Sequence, residues 1–152
     1  MNKSAEYEPY FQELGNKENR LFESMKDVYM FAIAIGFKRG KKIPLGKTGG
    51  EAIALRYFND DDKKLMDLIA LAAKDDISIL LADDEIQDEK YKLLEEYANG
   101  GMSIMVEEFC KPIIDKDALF KFVSSYEKDE DAGNKKSIEE LLLGASKNLS
   151  FD

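Results

Sequence analysis

Five cations stand within ten residues, Lys38, Arg39, Lys41, Lys42 and Lys47, with no acid between them. Side chains of this kind neutralise phosphate oxygens and release counterions from a polyanion. Gly40 and Gly46 in the same stretch let a backbone approach such a surface closely. The chemistry on offer is recognition of a nucleic-acid backbone or of an acidic protein face. Five contacts make a modest footprint, enough to assist a complex rather than to hold one alone. The chain's net charge is −9, so with these cations set aside the remainder carries −14. That balance argues against a protein coating nucleic acid with its whole surface, and leaves room for one local patch. A plainer reading competes: cations after the last turn of a helix complement its dipole and keep a loop solvated.

Other chemistry is restricted by what the chain lacks. Gly46-Lys47-Thr48 invites comparison with a phosphate-binding loop, which needs four residues between its first glycine and the Gly-Lys-Thr. Gly40 leaves five, and a helical pattern rather than a strand precedes it. There is no histidine, so neither a Cys/His zinc site nor a Ser-His or Cys-His pair can be built. Acid clusters at Asp60–Asp62, Asp83–Glu85, Glu107–Glu108 and Asp129–Asp131 lack the alternating ligands and central glycine of a calcium loop. They read as helix-start charges and solvated faces, although a carboxylate site for magnesium stays open as the basis of an enzyme reading. The single cysteine, Cys110, excludes an intramolecular disulfide and suits a reducing compartment. It lies beside Phe109 in an apolar pattern, as a buried structural thiol does. Met25, Met30, Met66, Met102 and Met105 fall at core-like positions as gap fillers. No catalytic residue, no cofactor site and no metal site is assigned.

The elements that would position the cations are helical. The expected fold is mainly α, a compact helical domain around a buried central helix over residues 24–37. Ser24 and Asp27 form an S-x-x-D start. The apolar run Val28–Phe37 fills nearly every face of the helix, which places it inside. Gly36 and Gly40 are its candidate terminators, and residues 40–50 form a loop by content. Either a short strand or a helical turn fits 52–58 and 77–81, so a small β element is expected as an alternative there. Asn59 opens a helix to about Ala73. Acids over Asp83–Glu89 lead into another that stops at Asn99-Gly100-Gly101, and the helical pattern restarts at Met102. Pro112 ends that segment, and Asp115 caps a helix carrying Leu119, Phe122, Val123 and Tyr126.

The expected organisation is a single globular domain with an N-terminal arm over 1–127, an exposed charged linker over 128–136, and a C-terminal amphipathic helix and tail over 137–152. In the last segment Ile138, Leu141 and Leu142 share a face with Ala145. That face either folds back on the core or lies on a partner, which makes it a candidate partner helix. The N-terminus is polar and acidic, without a secretory signal, and the longest apolar run is about half of a membrane span. A cytoplasmic protein without membrane contact is expected.

The stretch Lys26–Leu45, KDVYMFAIAIGFKRGKKIPL, together with Glu51-Ala-Ile-Ala and Glu95-Glu-Tyr-Ala-Asn-Gly-Gly101, resembles a family of small proteins associated with bacterial DNA phosphorothioation (Dnd) systems, Dnd-system-associated protein 4. The resemblance covers roughly residues 20–110. It implies an accessory of a defence locus that puts sulfur in the DNA backbone and couples this to restriction of unmodified DNA. It brings no catalytic residues with it. The expectation is a non-catalytic accessory acting through protein contacts and through DNA contact at residues 38–47. A DNA-binding transcriptional regulator of such a locus is the alternative; it would need a dimer and a helix with an exposed basic face. The oligomeric state stays open. Replacing Lys38, Arg39, Lys41 and Lys42 with Ser is expected to leave folding intact.

Overall fold

Ser24 begins the central helix as its sequence predicts. In the computed structural model, which describes residues 1–16, 18, 21–110 and 115–129, the Ser24 hydroxyl accepts from the Asp27 amide and donates to the Asp27 carboxylate at 2.8 Å. The five helices among the described residues are α1 (Glu8–Leu14), α2 (Met25–Lys38), α3 (Asp60–Lys74), α4 (Asp84–Phe109) and α5 (Lys116–Asp129). Val28, Tyr29, Ala32 and Ile33 of α2 have no exposed surface, so the apolar run is the core of the molecule. α2 lies along α4, and this pair is the main packing contact of the fold. α1 covers one end of α2, where Phe11 stacks on Tyr29 with ring centroids 5.7 Å apart. Phe122 of α5 sits against Phe109 of α4 and Phe31 of α2, at 4.9 and 6.3 Å.

Two short segments left open by their pattern are single 3-10 turns, Leu55–Tyr57 and Ile77–Leu80. No strand occurs among the described residues. The extended arm at residues 1–5 does pair with 47–53, through Ala5 N to Lys47 O, Gly49 N to Lys3 O and Ile53 N to Met1 O. Each side contributes too few paired residues to propagate a ladder, and only the bridge between Ser4 and Thr48 results. The Met1 ammonium donates to Ile53 O at 2.6 Å, and burial lowers its pKa.

α3 opens on a full capping box, with Asn59 and Asp62 exchanging side-chain and backbone bonds. Asp75, in the left-handed region at φ 51°, ends it. Asp115 caps α5 by accepting from the Ala118 amide.

The expected stop at Asn99-Gly100-Gly101 is not there. α4 runs without a break for 26 residues, and both glycines keep helical geometry. Gly36, a candidate terminator, likewise lies inside α2. These glycines are contact points. A Cβ on Gly36 would overlap the Tyr97 carbonyl, one on Gly101 the Ala32 carbonyl, and one on Gly100 the Lys41 carbonyl. Each glycine costs its helix about 1 kcal/mol of propensity, and the close backbone packing it permits outweighs that.

α5 continues to Asp129. The remainder of the expected linker, and the C-terminal segment with Ile138, Leu141 and Leu142, lie outside the described residues.

Candidate functional site

The cationic segment begins at the end of α2. Gly40 takes φ 64°, which a glycine adopts freely. Lys41 N then donates to Gly36 O at 2.8 Å and Gly40 N to Phe37 O at 3.1 Å, the paired bonds of a Schellman ending. The chain leaves the helix and lies against the middle of α4. There Ile43 N donates to Glu96 O at 3.0 Å. The buried Asn99 side chain donates to Ile43 O at 3.2 Å and Pro44 O at 3.3 Å. Gly100 makes room for the Lys41 carbonyl beside it. Farther on, Lys47 O accepts from Ala5 N. The loop is therefore tied at both ends and along its length.

This frame divides the five cations. Arg39 pairs with Glu108 at 2.9 Å and lies over the Phe122 ring, 5.4 Å from its centroid, so it joins α2, α4 and α5. Lys41 is half-buried and donates to Ser103 Oγ at 3.1 Å. Lys38, Lys42 and Lys47 are exposed. The Lys42 ammonium also lies 5.8 Å from the Tyr97 ring centroid. Sequence reasoning groups the five as one patch; in the structure Arg39 is engaged by Glu108 and Phe122 and Lys41 by Ser103, while Lys38, Arg39, Lys42 and Lys47 all keep exposed surface. Replacing Arg39 removes both of its contacts, with Glu108 and with the Phe122 ring.

Asn99, Gly100, Ser103 and Glu108 complete the site, and sequence reasoning does not assign them to it. A signal is present in Asn-Gly-Gly. A polar side chain and two glycines inside an otherwise helical pattern mark a crossing point as well as a stop, and local sequence does not separate the two.

Lys47-Thr48 lies in the pairing with the N-terminal arm rather than at the start of a helix, so it forms no phosphate-binding loop. Among the described residues no three Asp, Glu or Cys side chains gather as a metal site. Cys110 is buried, and burial pushes its thiol up to about 11, with the Glu13 carboxylate adding to the shift.

A second polar centre lies at the N-terminal arm. Lys3 is almost fully buried; its ammonium donates to Glu51 O at 2.6 Å, contacts Met25 Sδ at 3.5 Å and pairs with Glu8 at 3.2 Å. It borders an open cavity of about 490 Å³, lined also by Ser24, Lys26, Ile53 and Tyr57. Its three donors are occupied, so the ammonium serves as a tie between the arm, α1 and α2. At the rim Lys26 bridges Asp27 at 3.0 Å and Asp62 at 2.8 Å, joining the starts of α2 and α3.

No helix of the described residues is long and apolar enough to cross a membrane. No curated protein and no solved structure matches the chain. A family model does match, over residues 2–141, beyond the 20–110 that carried the resemblance and into the C-terminal segment. The central helix, its cationic ending and the Asn-Gly-Gly crossing all lie within that span, and the chain belongs to the DNA sulphur modification system-associated protein 4 family.

Proposed function

We propose that the protein is a non-catalytic, cytoplasmic accessory of a bacterial DNA phosphorothioation and restriction system that guards against phage, and that it holds its cationic loop against the DNA backbone. The observation that carries this reading is the tethering of the loop to α4 through Asn99 and Glu96 O while Lys38, Lys42 and Lys47 stay exposed. Cations held in place before binding avoid the ordering cost that flexible ones incur. Family membership supports the link to the modification system.

Three contacts predict weak binding that salt removes readily, with a log–log slope of roughly −3 on duplex DNA. The test is fluorescence anisotropy with plain and phosphorothioated duplexes over a salt series, on the wild type and on Lys38→Ser/Lys42→Ser/Lys47→Ser. Salt-sensitive binding that the triple variant loses is the expected result. A preference for the modified duplex would make the protein a sensor of the mark. Absence of binding at low salt, or full binding by the triple variant, overturns the DNA contact.

A further inference from the structure

The turn between α3 and α4 exposes two aliphatic side chains that the fold does not need outside. Ile77 is 41% exposed and Leu81 55%, whereas Ile79 between them is buried. Ile77 opens the 3-10 turn Ile77–Leu80 and Leu81 follows it, and the turn is held from several directions. The Asp76 side chain accepts from Ser78 N at 2.9 Å, Leu81 N donates to Ser78 O at 3.1 Å, and Gln87 donates to Leu81 O at 2.6 Å. Asp83 then caps α4 through Glu85 N and Ile86 N.

The setting of the pair is acidic. From Asp75 to Glu89 the chain has seven acids and no base. Glu89 pairs with Lys74 at 3.0 Å, and Asp75, Asp76, Asp83, Asp84, Glu85 and Asp88 are exposed. Eighteen residues of α4 separate Glu85 from Ser103, where the cationic loop rests; at the rise of a helix that is about 27 Å. The exposed aliphatics thus sit among carboxylates at the start of α4, away from the cationic loop at the middle of that helix.

We propose that Ile77 and Leu81 anchor a protein–protein contact whose occupant is a lysine- and arginine-rich surface of another protein of the modification system. Charge complementarity selects this occupant. A nucleic acid is repelled by the surrounding carboxylates, and so is the same face of a second copy. A second copy would have to offer a different, basic face such as its cationic loop, in a head-to-tail contact that builds a ring or a filament. Aliphatic anchors in a rigid turn supply the desolvated centre of a contact, and the acidic rim supplies steering. The inference rests on family membership for the identity of the partner and is independent of the cationic loop.

The test titrates the full chain against each of the other purified proteins of the system at low and high salt. Wild type is compared with Ile77→Ser/Leu81→Ser, Asp84→Asn/Asp88→Asn and Lys42→Ser/Lys47→Ser. One component should bind. The aliphatic pair variant should weaken that binding roughly tenfold or more, as loss of a central anchor does. The Asp variant should slow association and flatten the salt dependence, the Lys variant should bind as wild type, and all should unfold at the wild-type temperature. Binding to no component, undiminished binding by the aliphatic variant, or self-association alone overturns the proposal. Binding lost only in the Lys variant also overturns it, while leaving the cationic loop as the contact. Failure of the DNA titration with the turn contact intact would reject the loop reading alone.

Discussion

Gly101 on α4 lies against Ala32 on α2 so closely that a Cβ on the glycine would overlap the alanine carbonyl oxygen. The relation has a twin four residues up α2 and four down α4, where Gly36 meets the Tyr97 carbonyl. Two opposing effects make Gly101→Ala informative. Helix propensity alone would have it stabilise the protein by about 1 kcal/mol. Forcing the two backbones apart costs about 1–3 kcal/mol or more, because the atom met is main chain and cannot rotate away. Overpacking wins. Urea unfolding should show a net loss of about 1 kcal/mol or more for Gly101→Ala, and stabilisation would refute the crossing geometry.

This contact also marks where local sequence stops being informative. The start of α2 at Ser24, its burial, the start of α3 at Asn59 and the cap at Asp115 were all legible, because capping and periodicity act over three or four residues. The continuity of α4 was not, because Gly100 packs against Lys41 of the loop and Gly101 against Ala32 of α2, both distant in sequence. The site divides in the same way. The cations could be read as a run. That Glu108 engages Arg39 and Ser103 engages Lys41 depends on side chains more than 60 residues away.

Asn99→Ala should loosen the cationic loop without breaking α4. The side chain holds the Ile43 and Pro44 carbonyls, and its loss leaves both without that donor. The expected destabilisation is about 1–3 kcal/mol, and alanine is a good helix former at that position. Amide exchange should quicken at residues 43–47 while α4 amides around Leu94 keep their protection. Uniform quickening of both would mean that Asn99 supports the helix itself.

Tyr29 sets an alkaline limit. Burial raises its phenol well above the ordinary value, the Glu95 carboxylate adds to the shift, and its hydroxyl donates to Asn2 O at 2.9 Å. A folded value above the unfolded one gives stability that is complete below about pH 10 and lost as the pH rises toward the folded value. The Tyr29 phenolate should therefore form only as the protein unfolds. Ultraviolet titration should show a late step coincident with the loss of helical circular dichroism, and Tyr29→Phe should remove it. Early, reversible ionisation of all tyrosines in the folded state would contradict this burial.

Arg39 joins the fold to the proposed DNA-facing loop, and Glu108 is the residue that separates the two roles. Arg39→Ser removes the pair with Glu108 and the cation over Phe122, two half-exposed interactions worth about 1 kcal/mol together. It should quicken exchange in α5, so a loss of DNA binding in that variant has two explanations. Glu108→Gln has one. It removes the carboxylate, keeps the guanidinium near Phe122, and leaves Arg39 with its charge uncompensated by that partner. If Arg39 also reaches phosphate, Glu108→Gln should bind duplex DNA more tightly than wild type and steepen the salt slope by about 1, the effect of neutralising one more phosphate. If only Lys38, Lys42 and Lys47 reach phosphate, the slope stays where it was. The first outcome adds Arg39 to the DNA-facing residues and the second leaves the contact to the three lysines, and neither requires a variant that weakens the fold by more than a surface ion pair.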